Sequence, residues 1–291
     1  MGRLDGKVAL ITGAGRGQGR SHAVTLAREG ADILALDCPM PNPVLPYATA
    51  TSEDLAETAA QVEAFDRRII AVEGDVRNQA DLDGLVARGV DELGKIDICV
   101  ANAGVASMSP FWEMTEEEWN GTVDVNLNGV WRTVKAVTPH MIDREAGSII
   151  LISSVSGLEG APQIAHYVAA KHGVLGLMKT VCLELGPKYG IRCNAILPGP
   201  VDTQIIKFPE MLDFMAGGPG LGEDIDINET CKAWGATKGI GVLQPQETSN
   251  AVLYLASDES RCVNGLEMVV DAGHSVLPGL NMEAIAAAAT A

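Results

Sequence analysis

A tyrosine and a lysine lie one helical turn apart in the sequence, at Tyr167 and Lys171. Side chains four residues apart share one face of a helix, so the ammonium can act on the phenol. A free tyrosine has a pKa of about 10 and is protonated at neutral pH, and a nearby positive charge lowers that pKa. The pair can therefore exchange a proton with a substrate hydroxyl. A tyrosine and a lysine at this spacing are common by chance. The pair becomes evidence for a catalytic site because it follows a predicted strand that ends in Ser153 and Ser154.

A glycine-rich turn near the start of the chain predicts a nucleotide site. Residues 8–11 are apolar without polar alternation, which is typical of a parallel strand covered on both faces. Residues 12–19 then read TGAGRGQG, and glycines without a Cβ let the backbone approach phosphates. The helix predicted at residues 18–29 points its free N–H groups and its positive dipole end at the same place. A flexible turn is the alternative interpretation.

Asp37 ends the second predicted strand, residues 32–37, about 20 residues beyond the glycine turn. A carboxylate at that point accepts hydrogen bonds from the ribose hydroxyls of an adenosine and repels a 2′-phosphate. The position therefore favours NAD over NADP. Arg16, inside the glycine turn, can pair with a 2′-phosphate and is the argument for NADP. A solvated aspartate at a strand end is the alternative for Asp37.

Residues 38–52, the insertion, connect this strand to the next helix with CPMPNPVLPYATATS. Such connections usually take about 2 to 6 residues. The prolines favour an extended, stiff backbone, and the segment leaves the sheet where the adenosine is expected. We expect the insertion to cover the bound nucleotide, and a tolerated surface loop is the alternative.

Strands and helices alternate along the rest of the chain. Further strands are predicted at residues 68–74, 96–101, 148–154, 192–197 and 265–271. Helices are predicted at residues 52–66 with Ser52 as N-cap, 78–93, 115–141 with Thr115 as N-cap, 163–185 and 246–257. This alternation predicts one doubly wound Rossmann domain over residues 1–291, an α/β fold with a seven-stranded parallel sheet in the order 3-2-1-4-5-6-7. Ligands collect at the carboxyl ends of such strands.

Two segments fall outside this alternation. Residues 204–241, the flap, break into irregular pieces with an amphipathic stretch, a glycine-rich stretch and an acidic run. We expect the flap to close over an apolar substrate. The Ala-rich end at residues 283–291 is expected to fray or to dock on a neighbouring subunit.

The composition excludes several classes of protein. Of the 291 residues, 47% are hydrophobic and 20% are charged, and no uncharged apolar run reaches the roughly 20 residues that cross a bilayer. The net charge of −17 opposes binding to nucleic acid. The N-terminus enters the first strand without the features of a signal peptide, so a cytoplasmic location is expected. The six cysteines and the histidines are scattered, so we expect neither a disulfide nor a metal site.

The motifs, taken in order over residues 7–273, resemble those of the short-chain dehydrogenase/reductase family. They are TGxxxGxG at residues 12–19, Asp75, NAG at residues 102–104, Asn126, Ser154, YxxxK at residues 167–171, and Pro198 with Gly199. Ser154 stands at the separation from Tyr167 that is usual in that family, which selects it over Ser153. The resemblance implies four catalytic residues, Asn126, Ser154, Tyr167 and Lys171. It implies a cofactor site made of Gly13, Arg16, Gly17, Gln18, Gly19, Asp37, Cys38, Asp75, Val76, Asn102, Ala103, Gly104, Tyr167, Lys171, Pro198, Gly199, Val201 and Thr203.

A narrower resemblance is carried by residues 15–23, by the insertion and by residues 166–178. These segments are similar to the mycofactocin-associated, carveol-dehydrogenase-like enzymes of actinobacteria. Gln18 fits this subgroup, because the wider family has isoleucine there. The resemblance implies NAD held tightly beneath the insertion, a lipophilic or terpenoid secondary alcohol as small-molecule substrate, an external redox carrier and a homotetramer.

The resemblance also implies a role for each of these residues. Tyr167 acts as general acid or base, and Lys171 stabilises its phenolate and binds the nicotinamide ribose. Ser154 aligns the substrate oxygen, and Asn126 holds a water that passes protons from the lysine to solvent. The Asp75 carboxylate, at the end of the third predicted strand, is placed to meet the adenine amino group.

Alternatives to an NAD-dependent dehydrogenase stay open. Arg16 supports an NADP-dependent carbonyl reductase. A non-catalytic NAD-binding redox sensor or scaffold would use the nucleotide site and would not need the catalytic set. His166 adjoins Tyr167, but adjacent residues of a helix do not share a face, so we expect it to be structural or part of the pocket wall.

Overall fold

Seven apolar runs form the strands of one parallel sheet. Their bounds are β1 Val8–Thr12, β2 Asp32–Asp37, β3 Ile69–Glu73, β4 Ile98–Ala101, β5 Gly147–Ile152, β6 Ile191–Pro198 and β7 Glu267–Val270. The order β3-β2-β1-β4-β5-β6-β7 confirms the predicted Rossmann domain. This computed structural model describes residues 2–277 and 279, and the Ala-rich end at residues 283–291 lies outside the described residues.

The position of β1 creates the crevice in which a ligand can bind. β1 pairs with β2 on one side, with Val8 opposite Asp32, and with β4 on the other, with Ala9 opposite Ile98. The connections that follow these strands therefore leave in opposite directions. In such sheets a crevice opens at the carboxyl ends of the two central strands.

Helices cover both faces of the sheet. Their bounds are α1 Gly17–Arg28, α2 Ser52–Glu63, α3 Gln79–Leu93, α4 Glu116–Val123, α5 Val130–Arg144, α6 Ala165–Tyr189, α7 Pro209–Ala216, α8 Ile227–Cys231 and α9 Pro245–Ala256. Apolar residues of α3, α5 and α6 belong to the core on one face, and those of α1, α2 and α9 belong to the core on the other face. Both faces of the central strands are therefore buried, as their unbroken apolar sequence predicts.

The long helix predicted at residues 115–141 contains a wider turn. Thr115 is the N-cap, as predicted, and forms a capping box with Glu118. A π-helical turn, Asp124–Gly129, separates α4 from α5. Asn126 lies in this turn and is fully buried. A π turn bonds residue i to i+5, so it changes the direction of side chains without ending the helix.

The N-cap predicted for α2 is wrong by one residue. Thr51, not Ser52, is the N-cap: its hydroxyl accepts the Asp54 N–H at 3.1 Å, and the Asp54 carboxylate accepts the Thr51 N–H at 3.0 Å. The reason is the position of Asp54, three residues after Thr51. A cap at Ser52 would have Leu55 there, and leucine cannot complete a capping box.

Among the described residues, no helix combines the length and the apolar character needed to pass through a membrane. Nor do histidine, cysteine and carboxylate side chains in this part of the chain gather in a group of three or more that could hold a metal ion. All six cysteines are free thiols.

The capping box gives a stability prediction. Thr51→Ala removes the hydroxyl that caps α2 and should lower the free energy of unfolding by about 1 kcal/mol. Ser52→Ala, at the exposed neighbouring position, should change it by less than about 0.5 kcal/mol. Urea unfolding followed by circular dichroism measures both. Equal losses in the two variants would contradict the assignment of the cap.

Candidate functional site

A cavity of about 900 Å³ opens at the carboxyl ends of the strands. The glycine turn, the ends of β2 to β6, the insertion and the flap all contribute to its wall. Every predicted cofactor residue lines it, and so do Ser154, Tyr167 and Lys171. Asn126 is the one predicted residue that lies behind the wall rather than in it.

The glycine turn leaves its backbone open to a ligand. Gly13 has a φ of +66°, and a Cβ there would lie 2.8 Å from the Cα of Ala103. α1 begins at Gly17, and its N-cap, Arg16, provides no side-chain hydrogen bond to the first turn. The free N–H groups of that turn are the kind of donors that bind phosphate oxygens.

Hydrogen bonds hold the glycine turn against the end of β4. The Thr12 hydroxyl accepts the N–H groups of Asn102 and Ala103 at 3.1 and 3.2 Å. The Asn102 side-chain amide donates to the Thr12 and Gly13 carbonyls at 2.9 and 3.2 Å. Asn102 is therefore committed to the backbone, and its part in a cofactor site is to fix the shape of the turn.

Two residues that the sequence reasoning missed support the turn from α1 and α2. The Arg20 guanidinium donates to the Gly15 carbonyl at 2.6 Å and to the Asp54 carbonyl at 2.8 Å. The Thr58 hydroxyl donates to the Ala14 carbonyl at 3.0 Å. Their polar side chains on the inner faces of helices were the available signal.

Asp37 lies at the end of β2 with its carboxylate in the cavity. It accepts the N–H groups of Gly15 at 2.7 Å and Cys38 at 2.8 Å. Burial raises the pKa of Asp37 above its ordinary value, and these two hydrogen bonds oppose that shift. Arg16 donates to the carbonyl of Ala48 in the insertion. The guanidinium that argues for NADP therefore binds the protein's own backbone.

Asp75 has a charged partner that the sequence reasoning missed. Arg77 donates to its carboxylate at 2.6 Å from the side chain and at 2.8 Å from the backbone. Burial opposes ionisation of Asp75, but the hydrogen bonds and charge of Arg77 prevail and lower its pKa. The Cys38 thiol lies 3.8 Å from the same carboxylate, and burial raises the pKa of that thiol. The ends of β2 and β3 thus meet at one wall of the cavity.

The phenol and the ammonium lie together at the other end of the cavity. The Lys171 Nζ is 5.4 Å from the centre of the Tyr167 ring and donates to the Ile152 carbonyl at 2.8 Å. Burial lowers the pKa of Lys171 to about 8. Burial raises the pKa of Tyr167 above its ordinary value, and a hydrogen bond with Ser154 opposes that shift. Without a ligand, Tyr167 is therefore a neutral phenol at neutral pH.

The two serines at the end of β5 have different partners. The Ser153 hydroxyl donates to the Lys171 carbonyl at 2.9 Å, so it supports α6. The Ser154 hydroxyl contacts Tyr167 and accepts the Ser156 N–H at 3.1 Å. The geometry therefore favours Ser154 as the serine that can meet a substrate oxygen beside the phenol.

Asn126 positions the loop after β4. Its side chain accepts the Val105 N–H and donates to the Val105 carbonyl, both at 2.8 Å. A Cβ on Gly104 would lie 3.6 Å from the Asn126 Oδ1 and 3.7 Å from the Lys171 Nζ, so these two groups flank Gly104. The Asn126 side chain therefore fixes the loop that contains Gly104 and Val105.

The flap adds an apolar wall near Tyr167. Ile205, Met211, Phe214 and Met215 line the cavity from this side, and Phe214 packs edge-on against Trp234 with ring centres 5.6 Å apart. The flap also has a small apolar cluster of its own around Cys231. A chamber with these walls suits an apolar molecule.

The insertion runs across the cavity to the opposite side. Arg16 holds Ala48 at the glycine turn, and Val44 packs against Gly121 in α4, where a Cβ would meet it at 2.9 Å. Tyr47, which the sequence reasoning missed, reaches the Ala106 N–H beyond β4. Its place beside the prolines gave no sign of that distant contact.

His166 is buried behind the wall of the cavity. Its Nε2 lies 2.9 Å from the Ser107 hydroxyl, and burial lowers its pKa. These contacts suit the structural role that was predicted for it.

Comparisons with known proteins agree on one family. The family model of short chain dehydrogenases matches residues 7–210. A (-)-trans-carveol dehydrogenase of Rhodococcus erythropolis is 42% identical over 282 residues, which cover 94% of this chain and 99% of that protein. An uncharacterized NAD-dependent oxidoreductase of Mycobacterium tuberculosis is 45% identical over 274 residues, which cover 94% of this chain and 97% of that protein.

Solved structures give the same result. A carveol dehydrogenase from Mycobacterium avium in complex with NAD is 45% identical and matches with a TM-score of 0.90 over 95% of this chain and 100% of that chain. A short chain dehydrogenase from Mycobacterium paratuberculosis bound to NAD is 40% identical, with a TM-score of 0.85 over 95% of this chain and 100% of that chain.

The burial of Lys171 predicts how stability depends on pH. Its pKa falls from 10.5 to about 8 on folding, so the folded protein without ligand holds this proton more weakly than the unfolded chain. Below pH 8 both states are charged and the burial penalty is complete, whereas above pH 10.5 both are neutral and it is gone. The stability that Lys171→Met gains over wild type should therefore shrink by up to about 3 kcal/mol as pH rises through this window.

Urea unfolding of ligand-free protein at several pH values measures this difference. Lys179→Met, which removes an exposed lysine of the same helix, is the control and should show no comparable pH dependence. A difference between Lys171→Met and wild type that stays constant from pH 8 to pH 10.5 would show that Lys171 keeps its ordinary pKa.

Proposed function

This chain belongs to the short chain dehydrogenase family, and from that premise we propose that it oxidises a secondary alcohol to a ketone with NAD. One observation carries the proposal. The Tyr167 phenol, in contact with Ser154 and close to Lys171, lies in the same cavity as the glycine turn. The relatives that are named carveol dehydrogenases or bind NAD support it further.

The residues of the cavity fit a dinucleotide along its length. The open glycine turn and the uncapped start of α1 would hold the diphosphate, and Asp37 would accept the adenosine ribose hydroxyls. The adenine would lie by Cys38, Asp75 and Val76, and the nicotinamide end by Gly104, Lys171, Pro198, Gly199, Val201 and Thr203. The buried Oε1 of Gln18 has no hydrogen-bond partner among the described residues, so it is available to a donor of the ligand.

Bound NAD would accept the hydride of the alcohol carbon. The chain's own residues handle the proton. Ser154 and Tyr167 hold the substrate oxygen, and Tyr167 takes its proton as general base. The ammonium of Lys171 lies near the ring and favours the phenolate, and the positive charge of bound NAD would favour it further. By the family resemblance, Asn126 would hold a water that passes protons from Lys171 to solvent.

The cavity favours NAD over NADP. Asp37 places a carboxylate where a 2′-phosphate would have to lie, and the Arg16 guanidinium donates to the Ala48 carbonyl of the insertion. This hydrogen bond holds Arg16 at the insertion, which weakens the argument for an NADP-dependent carbonyl reductase. A non-catalytic redox sensor would have no use for Tyr167 and Lys171, which lie together with Ser154 in the cavity.

The apolar flap and the named relatives support a lipophilic, carveol-like alcohol as substrate. The proposal includes tightly held NAD beneath the insertion, which an external redox carrier would reoxidise in place, and a homotetrameric assembly. These last features rest on the resemblance of residues 15–23 and 166–178 to the carveol-dehydrogenase-like enzymes.

Tyr167→Phe tests the general base. The variant keeps the ring and loses the hydroxyl, so kcat for a secondary alcohol should fall by about 100-fold or more. The Kd for NAD should change by less than about threefold, because the ring and Lys171 remain. Tyr189→Phe, at the end of the same helix and outside the cavity, is the control and should keep full activity. Substantial turnover by Tyr167→Phe would remove Tyr167 from its proposed role.

Deletion of residues 39–47 tests the cover. The Thr49 hydroxyl donates to the Met40 carbonyl at 3.1 Å, so the insertion leaves and returns at nearly the same point and a short glycine link can replace it. NAD should then leave the protein at least about tenfold faster, because the contacts across the cavity are gone. Mass spectrometry should find NAD retained by purified wild type and depleted in the variant. An unchanged release rate would show that the insertion is not a cover.

A further inference from the structure

Tyr47 contacts two parts of the cavity wall that are far apart in the chain. Its hydroxyl oxygen accepts the Ala106 N–H at 2.9 Å, in the loop that follows β4. Its ring stacks on Phe208 of the flap, with ring centres 5.7 Å apart and an angle of 29° between the planes. One side chain of the insertion therefore binds both the loop beside the predicted nicotinamide site and the segment that leads into α7.

Phe208 is the buried partner of this stacked pair. It is 1% exposed, although it lies just before α7 in a flap that is otherwise partly open. Tyr47 is itself a wall residue of the cavity that also contains Tyr167. Lifting the insertion would take the Tyr47 ring away from Phe208, and opening the flap at this point would separate the same two rings. Either movement alone exposes an aromatic ring to water.

The rest of the insertion is anchored on the cofactor side. The Ala48 carbonyl, next to Tyr47, accepts a hydrogen bond from Arg16 in the glycine turn. Val44 packs against Gly121 in α4 on the far side of the cavity. The segment around Tyr47 therefore links the glycine turn, α4 and the flap.

The contact is stable across the pH range in which such an enzyme works. Burial raises the pKa of Tyr47 to about 12, and the nearby Tyr167 contributes to the rise, whereas the Ala106 hydrogen bond and Arg16 oppose it. Its hydroxyl therefore stays neutral, and the bond to Ala106 does not depend on pH.

We propose that Tyr47 is a positioning residue that joins the insertion to the flap, so that each segment holds the other in place over the cavity. This inference rests on the proposed function, because it assumes that NAD lies beneath the insertion and an alcohol beneath the flap. It makes Phe208, a flap residue, a determinant of cofactor release. It also makes Tyr47, an insertion residue, a determinant of the substrate chamber.

The rate of NADH release, measured by stopped-flow fluorescence, tests whether the contact between Tyr47 and Phe208 joins the insertion to the flap. Tyr47→Ala and Phe208→Ala should each speed release about tenfold, because each removes the same pair of stacked rings. The double variant should be no more than about twofold faster than either single variant, because the pair is lost only once. Tyr47→Phe keeps the ring and loses the bond to Ala106, so its release should lie between wild type and Tyr47→Ala.

Matched control variants distinguish loss of the contact between Tyr47 and Phe208 from a general loosening of the insertion or the flap. Pro43→Ala changes an exposed residue of the insertion outside the Tyr47 contact and should leave NADH release within about twofold of wild type. Phe214→Ala changes a flap aromatic that packs on Trp234 instead of Tyr47, so it should raise KM for the alcohol and leave NADH release unchanged. Phe208→Leu keeps an apolar side chain for folding and should still speed release, because it cannot stack.

The outcomes distinguish the two proposals. If Phe208→Ala and Phe208→Leu release NADH at the wild-type rate, or if the effects of Tyr47→Ala and Phe208→Ala multiply in the double variant, the insertion and the flap are independent and the inference is wrong. If wild type binds no NADH in this assay, the proposed function itself fails, and the inference fails with it.

Discussion

Reciprocal hydrogen bonds between Thr12 and Asn102 fix the distance between the two central strands where they end. Each side chain binds the backbone of the other residue, so these bonds hold the glycine turn after β1 against the loop after β4. The crevice between these ends contains both the open backbone of Gly13 and, through the same loop, Gly104 beside Lys171. The glycine turn and the end of the cavity that contains Lys171 are therefore connected through one loop.

The ammonium of Lys171 is buried beside this loop. Lys171 is 3% exposed and donates to the Ile152 carbonyl, a dipole that offsets only part of the cost of removing its charge from water. On the proposed function this cost is accepted because it keeps the ammonium close to Tyr167. A bound ligand with ribose hydroxyls would give Lys171 further partners, so filling the cavity should relieve part of the strain that the empty site carries.

The sheet and the turn could be predicted from the sequence because their signals are local. Unbroken apolar runs identify the strands, and Asp37 follows the glycine turn at a distance that the fold dictates. The spacing of Thr51 and Asp54 in the sequence fits a capping box. Serine is also a common N-cap residue, so the sequence did not distinguish Ser52 from Thr51 clearly. The contacts of Tyr47 had no such signal. They depend on where the β4 loop and the flap lie in space, and no pattern within the insertion encodes that.

The short distance between the two ends of the insertion has a consequence for how such folds change over time. Since Met40 and Thr49 meet through a hydrogen bond, a segment of this kind can be gained or lost between β2 and α2 without shifting a strand or lengthening a crossover. Such a change would leave the sheet and the residues at its carboxyl edge in place. If the insertion covers NAD as proposed, one local change in the gene is enough to turn an exchanging cofactor into a retained one.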